Sequence, residues 1–256
     1  MFRHFVKYHG SGNDFVVVHE RFDAVWPAAV VADICHRRYG VGADGFMVVG
    51  PWNGVDFRVD YYNADGRLGS LCGNGSRCAV DFARNLGLFD GPECRFAAAD
   101  GVHVGRWHGD GQVTVSMADA PKVAAQHGGW FADTGSPHHV AVAEGLDELD
   151  VVGQGRNLRY GVYGPEGANI NWILRTPEGC RIRTYERGVE DETLSCGTGA
   201  VAAALTAHQL WGSASPVRVQ ALGGDLEVSF TPTDEGFRGI ALKGPVARVF
   251  EGTWTV

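Results

Sequence analysis

The sequence predicts an α/β protein of two similar, pseudo-symmetric units, each a small barrel-like sheet of strands around one central helix. Three observations carry that expectation. The tetrapeptide C-G-N-G at Cys72 returns as C-G-T-G at Cys196, an offset of 196 − 72 = 124. At the same offset, the strand-like F-R-V-D-Y of Phe57 to Tyr61 falls on R-I-R-T-Y of Arg181 to Tyr185. Near the start of each half, Gly12-Asn13 precedes the apolar run Phe15 to Val18 much as Gly135-Ser136 precedes Val140 to Val142. Matches in order at nearly constant spacing mark a duplicated unit of about 120 residues. The junction falls near Met117 to Lys122, where Pro121 interrupts, and gives units 1–116 and 117–244.

Each element follows from local chemistry. Valine-rich runs bounded by Gly, Pro and Asp predict strands at Phe46 to Val49, Val102 to Gly105, Gln112 to Ser116, Val217 to Gln220 and Leu226 to Phe230. Two helices follow the C-G-x-G turns. One runs from about Asn74 to Asn85 and stops at Gly87; the other runs from Gly199 and stops at Gly212. The second, rich in Ala, Val and Leu, is apolar on nearly every face, the pattern of a helix enclosed by other structure.

Composition excludes several classes of function. The 256 residues carry 22 Lys+Arg against 30 Asp+Glu, and the net charge of −8 argues against a general grip on nucleic acid. No run of 18 apolar residues exists, so no membrane span is expected. The start, M-F-R-H-F-V-K-Y-H-G, lacks the apolar stretch of a secretion signal, and a cytoplasmic protein is expected. Six cysteines at 35, 72, 78, 94, 180 and 196 contain no C-x-x-C pair and no zinc-ligand spacing, which predicts reduced thiols and no metal. Lysine is confined to Lys7, Lys122 and Lys243, none in a Schiff-base context, and phosphate-binding glycine motifs are absent; no nucleotide or pyridoxal cofactor is expected.

The repeated turn is where the chemistry lies. A cysteine just before a helix faces free backbone N–H groups and the positive end of the helix dipole, and both lower a thiol pKa from about 8.5. The following glycines let a ligand approach the backbone, so each turn can cradle a carboxylate. Facing one another, a thiolate and a thiol could flank a single carbon, one removing a proton and the other delivering one from the opposite side. That inverts a stereocentre without a cofactor, and the cradling N–H groups stabilise the charge that develops. Cys35, Cys78, Cys94 and Cys180 have no such context.

Six strings extend this reading to a family. They are H-G-S-G-N-D-F (His9 to Phe15), Y-N-A-D-G (Tyr62 to Gly66), C-G-N-G-S-R-C (Cys72 to Cys78), G-S-P-H (Gly135 to His138), A-N-I-N (Ala168 to Asn171) and Y-E-R-G-V-E-D-E-T-L-S-C-G-T-G-A (Tyr185 to Ala200). In this order, over most of the chain, they resemble the diaminopimelate epimerases, cofactor-independent two-cysteine enzymes of lysine and cell-wall precursor synthesis. The resemblance implies two barrel-like α/β domains with the active site in the cleft between them, the final segment 245–256 returning to the first domain, and a homodimer.

The resemblance also implies roles. Cys72 and Cys196 are the acid/base pair. Gly73-Asn74 and Gly197-Thr198 hold the α-carboxylate through backbone N–H groups. Asn13, Asn63, Asn169 and Arg187 grip the rest of a substrate that carries a second amino-acid end, whose carboxylate suits an arginine. Glu186 faces an ammonium and influences a catalytic thiol, and His138 helps set thiol protonation. Taken singly, Asn13 beside Gly12 and Asn63 in N-A-D-G read as turn residues and Glu186-Arg187 as an exposed ion pair; beside the two cysteine turns they read as a site. Two positions depart from the pattern common in the family. Ser136 stands where asparagine is frequent and is kept as a binding residue, whereas Gly45 ends a segment that often carries glutamine and offers no side chain. Two alternatives are a related racemase of another amino acid and a non-catalytic thiol redox switch; the latter has no need of an arginine and asparagine cluster.

Overall fold

The computed structural model describes residues 2–22 and 25–255. The chain divides into two compact units, Met1–Val115 with Gly244–Val256, and Ser116–Lys243. In the first, the elements are β1 (Phe2–Gly10), β2 (Asn13–His19), α1 (Ala28–Cys35), β3 (Gly45–Gly50), β4 (Phe57–Asn63), α2 (Gly73–Asn85), β5 (Glu93–Ala98), β6 (Gly101–Gly109) and β7 (Gln112–Ser116). The second holds β8 (Ala120–Pro121), β9 (Ala124–Gln126), β10 (Gly129–Asp133), β11 (Pro137–Val142), α3 (Val151–Gly161), β12 (Asn169–Thr176), β13 (Gly179–Glu186), β14 (Asp191–Thr193), α4 (Gly197–Trp211), β15 (Val217–Ala221), β16 (Gly224–Pro232) and β17 (Gly236–Pro245). The last strand, β18 (Ala247–Thr255), pairs antiparallel with β1.

The duplication read from the sequence is present element by element. Helix α4 starts 197 − 73 = 124 residues after α2, β12 starts 169 − 45 = 124 after β3, β15 starts 217 − 93 = 124 after β5, and β17 starts 236 − 112 = 124 after β7. The ladders agree as well. Along β1-β2-β3-β4-β5-β6-β7 the pairs run antiparallel, parallel, antiparallel, parallel, antiparallel, antiparallel. Along β10-β11-β12-β13-β15-β16-β17 the same order recurs. Two parallel steps in each unit demand crossover connections, and the helices supply them: α1 and α2 in the first, α3 and α4 in the second.

Both cysteine-started helices are enclosed. Ten of the thirteen residues of α2 are buried, including Asn74, Ser76 and Arg77, and in α4 every residue from Gly199 to Ala207 is buried. The helices begin one and two residues earlier than their sequences suggest, because the cysteine itself is the N-cap and the glycine after it is already helical. At the other end, Gly212 takes a left-handed φ of 67° and its N–H closes on the His208 carbonyl, as the sequence stop signal requires. Among the described residues no helix is long and apolar enough to cross a membrane.

Helices α1 and α3 carry no clear sequence signal. Helix α1 has eight residues and no side-chain cap. Helix α3 is capped by Asp150, which accepts from the Gly153 N–H at 2.9 Å, but contains Gly153 and Gly155, poor helix formers. Gly155 is there for packing: a Cβ would lie 2.4 Å from the buried Tyr185 ring.

Candidate active site

In the first unit, Cys72 holds extended backbone angles (φ −105°, ψ 111°) at the start of α2, half-buried, with its Sγ accepting from the Gly75 N–H at 3.4 Å. Three polar side chains behind it form a directed chain. Arg77 donates to Asn74 Oδ1 at 3.0 Å, Asn74 Nδ2 donates to Asn13 Oδ1 at 3.4 Å, and Asn13 Nδ2 donates to the Asp44 carboxylate at 2.8 Å. A guanidinium can only donate and an ionised carboxylate only accept, so the two ends orient both amides. Asn13 Oδ1 therefore turns toward Cys72 and accepts from its Sγ–H at 3.8 Å. A shallow recess opens beside Cys72, lined in part by Met47, Tyr61, Gly69, Leu71 and Ser76.

In the second unit, Cys196 starts α4 with φ −118° and ψ 117°, also half-buried, and its Sγ lies 3.5 Å from Thr198 Oγ1. His138, without solvent exposure, places Nε2 2.9 Å from the same hydroxyl. Its tautomer follows from Asn171. The Asn171 Nδ2 donates to the carbonyl of His139 at 2.9 Å, and its Oδ1 accepts from the Thr184 hydroxyl at 2.9 Å, so the amide has one orientation. Nδ2 then donates to His138 Nδ1 at 3.1 Å, the ring proton sits on Nε2, and Nε2 donates to Thr198. The Thr198 proton is left to point at Cys196. His138 reaches the thiol through Thr198.

The other expected residues have partners of their own. Asn169 donates to Ser136 Oγ at 3.0 Å and accepts from the Arg187 N–H at 2.9 Å, joining three of them. The Arg187 guanidinium rests on the Glu166 carbonyl (2.8 Å), and Glu186 accepts from Thr193 at 2.9 Å, three residues before Cys196. Gly73 and Gly197 are the first residues of the two helices. Asn63 lies at the exposed end of β4 opposite Gly45 in the ladder, with its amide on the Arg67 carbonyl at 3.4 Å. Gly45 has no room for a side chain: a Cβ would stand 2.5 Å from the Tyr61 ring. Gly199 is likewise tight, its notional Cβ 2.8 Å from Asn171 Oδ1.

Sequence reasoning did not single out Arg77, Ser11, Asp44, Asn171 or Thr184. Arg77 and Asn171 lie inside two of the quoted strings, yet only their burial and partners reveal a role. The remaining thiols are inert by environment. Burial pushes Cys35, Cys94 and Cys180 up to about 12, and Cys78 higher still.

Burial, with the nearby Arg187 charge, pulls His138 down from 6.5 to about 3, so the ring is neutral at physiological pH. The unfolded chain takes up this proton near pH 6.5 while the folded chain does so only near 3. Stability from this group is therefore full above about pH 6.5 and is lost as pH falls, by about 1.4 kcal/mol per pH unit. Urea denaturation between pH 7 and 4.5 is expected to show that decline, with a shallower slope in His138→Gln.

Comparison with known proteins follows the same lines. A family model described as diaminopimelate epimerase matches the chain in two stretches, residues 5–123 and 130–249. The diaminopimelate epimerase of Flavobacterium psychrophilum is 41% identical over 254 residues, covering 96% of this chain and 98% of that protein. That of Chlorobaculum tepidum is 41% identical over 260 residues, covering 96% and 99%. Among solved structures, a PhzF-family phenazine biosynthesis protein from Bacillus anthracis shares the fold with a TM-score of 0.78 at 15% identity over the full length of both chains. A probable proline racemase from Agrobacterium radiobacter does so with a TM-score of 0.74 at 12% identity, covering 99% of this chain and 93% of its own.

Proposed function

The chain belongs to the diaminopimelate epimerase family, and we propose that it interconverts LL- and meso-2,6-diaminopimelate without a cofactor, using Cys72 and Cys196 as the acid/base pair. The observation that carries this reading is the repeated turn: a half-buried cysteine at the N-cap position of an enclosed helix whose first residues are Gly-Asn-Gly in one unit and Gly-Thr-Gly in the other.

One thiolate takes the α-proton, so the C–H bond breaks and an S–H bond forms. The electron pair left on carbon spreads into the α-carboxylate. The first N–H groups of a helix have no carbonyl four residues back, and those at Gly73-Asn74 and Gly197-Thr198 cradle that carboxylate. The other thiol gives its proton to the opposite face of the carbon, and the configuration inverts. The pair ends with its protonation exchanged and runs the reverse reaction by the same steps. At the far end of the substrate, Arg187 supplies a fork for the second carboxylate, Glu186 faces an ammonium, and Asn13, Asn63, Asn169 and Ser136 supply the remaining polar contacts. The enzyme acts as a cytoplasmic homodimer in lysine and peptidoglycan precursor synthesis, which light scattering on the purified protein checks as a species of twice the chain mass.

The deciding experiment is proton exchange in D₂O under reducing conditions, followed by NMR, with LL-diaminopimelate. Deuterium at the α-carbon together with meso product is the expected result. Exchange of another amino acid with none of diaminopimelate would retain the mechanism and shift the substrate, with Ser136 and Gly45 the positions responsible. No exchange with any amino acid would leave a thiol switch as the better reading.

A further inference from the structure

Among the described residues, Arg77 is the largest side chain wholly shut from solvent. A guanidinium in that position is ordinarily answered by a carboxylate, because an unpaired buried charge is costly. Among the described residues none reaches it. Nη1 donates to the Gly73 carbonyl at 3.2 Å, Nη2 donates to Ser11 Oγ at 3.1 Å and Asn74 Oδ1 at 3.0 Å, and Nε has no partner. Every partner is neutral, and each belongs to the Cys72 turn or to the turn that carries Asn13.

The duplication supplies an internal control. The equivalent position in α4 is 77 + 124 = 201, and Val201 is equally buried there. Enclosing the helix therefore does not require a cation. The other charged groups packed around α2 have partners of their own, and among the described residues none is given to Arg77. Asp81 accepts from Tyr8 at 3.0 Å and Trp107 at 2.9 Å; Asp44 accepts from Asn13 at 2.8 Å and pairs with Arg37. Lys7 pairs with Asp14 at 2.7 Å, and His103 faces Asp100 at 3.1 Å. His9 Nδ1 accepts from the Gly12 N–H at 3.4 Å. Cys78 is sealed and neutral, its thiol pushed up by burial. The group at this turn able to become an anion is Cys72. Burial draws Arg77 down only to about 10, so it remains charged at working pH.

We propose that Arg77 is a positioning residue that supplies the fixed positive charge of the first cysteine turn, its buried guanidinium on the Gly73 carbonyl stabilising the Cys72 thiolate that the Gly75 N–H also faces. The inference rests on the two-thiol reading of the site and adds a role that the second unit fills differently, through the Thr198 hydroxyl.

The test is the pH dependence of iodoacetamide alkylation, resolved for Cys72 and Cys196 by peptide mass spectrometry, on the full chain with no amino acid present. Arg77→Met is expected to raise the Cys72 midpoint by about one unit or more, slowing its alkylation about tenfold at pH 7, with the Cys196 curve unmoved. Arg77→Lys, which keeps the charge and loses the fork, is expected to keep the Cys72 midpoint within about half a unit. A folded Arg77→Met, checked by circular dichroism, with an unchanged Cys72 midpoint overturns the proposal. If Arg77→Met does not fold, Arg77→Lys decides: a Cys72 midpoint raised by a unit overturns the proposal, and an unchanged one supports it. Because no substrate enters the measurement, a different amino-acid substrate would leave these outcomes as they are.

Discussion

Alanine at Cys72 or at Cys196 is expected to lower epimerisation of LL-diaminopimelate by at least about three orders of magnitude, read by NMR as the appearance of the meso form. Inversion needs one proton to leave from one face and another to arrive at the opposite face. Either thiol alone accomplishes only half of that exchange. Serine should rescue poorly, since an alcohol ionises far less readily than a thiol and makes a weak base here. Losses in the two single variants should not add in the double variant, because the thiols act as a unit. Cys180→Ala is the control: its buried thiol has its proton affinity raised by desolvation and lies outside the turn. It is expected to retain activity within about twofold while losing roughly 1 kcal/mol of stability to the cavity. Full activity in Cys72→Ala or Cys196→Ala would sink the two-thiol mechanism.

Asn171→Leu is expected to cost about 2–4 kcal/mol of stability and to slow epimerisation by roughly ten- to a hundredfold. Asn171 is wholly buried, and its amide donates to the His139 carbonyl and His138 Nδ1 while accepting from Thr184. Leucine fills comparable space but leaves those groups buried and unpaired, and releases the His138 ring from its single tautomer. Asn171→Asp separates the two consequences. A carboxylate opposite Nδ1 draws the ring proton to that nitrogen, and Nε2 becomes an acceptor. The Thr198 hydroxyl then turns to donate to His138 and no longer points at Cys196. Nitrogen chemical shifts of the His138 ring should report the exchanged tautomer, with the Cys196 alkylation midpoint raised and that of Cys72 unmoved. A ring that keeps its proton on Nε2 in Asn171→Asp would show that Asn171 does not set the tautomer.

The two devices serve one end by different means. A reversible epimerase must ionise either thiol in turn, and the pair titrates as a coupled system. Cys72 has a buried cation behind it, and Cys196 has a hydroxyl held by a neutral histidine. Duplication preserved the turn, the helix and the order of strands, while the support beneath each cysteine diverged.

Much of this was legible in the sequence, and the reason is range. A cysteine that caps a helix acts within three residues, as the Gly75 N–H on the Cys72 sulfur shows, so C-G-x-G announces itself. The offset of 124 was visible for the same reason, because turns and valine-rich strands keep local signatures through duplication. Helices α1 and α3 escaped because their formation depends on packing: the glycine that weakens α3 is the one that admits Tyr185. Arg77 and Asn171 were present in the quoted strings, but nothing local distinguishes an exposed arginine from a sealed one. Ser11 lies 66 residues from Arg77, and Thr184 lies 13 from Asn171 on the neighbouring strand. By itself the sequence determined the two thiols, their glycine turns and the repeated unit, all governed by neighbours along the chain. Tertiary structure alone decided which charge is buried without a carboxylate and which nitrogen of His138 holds the proton, because burial and hydrogen-bond direction exist only once distant strands enclose the helix.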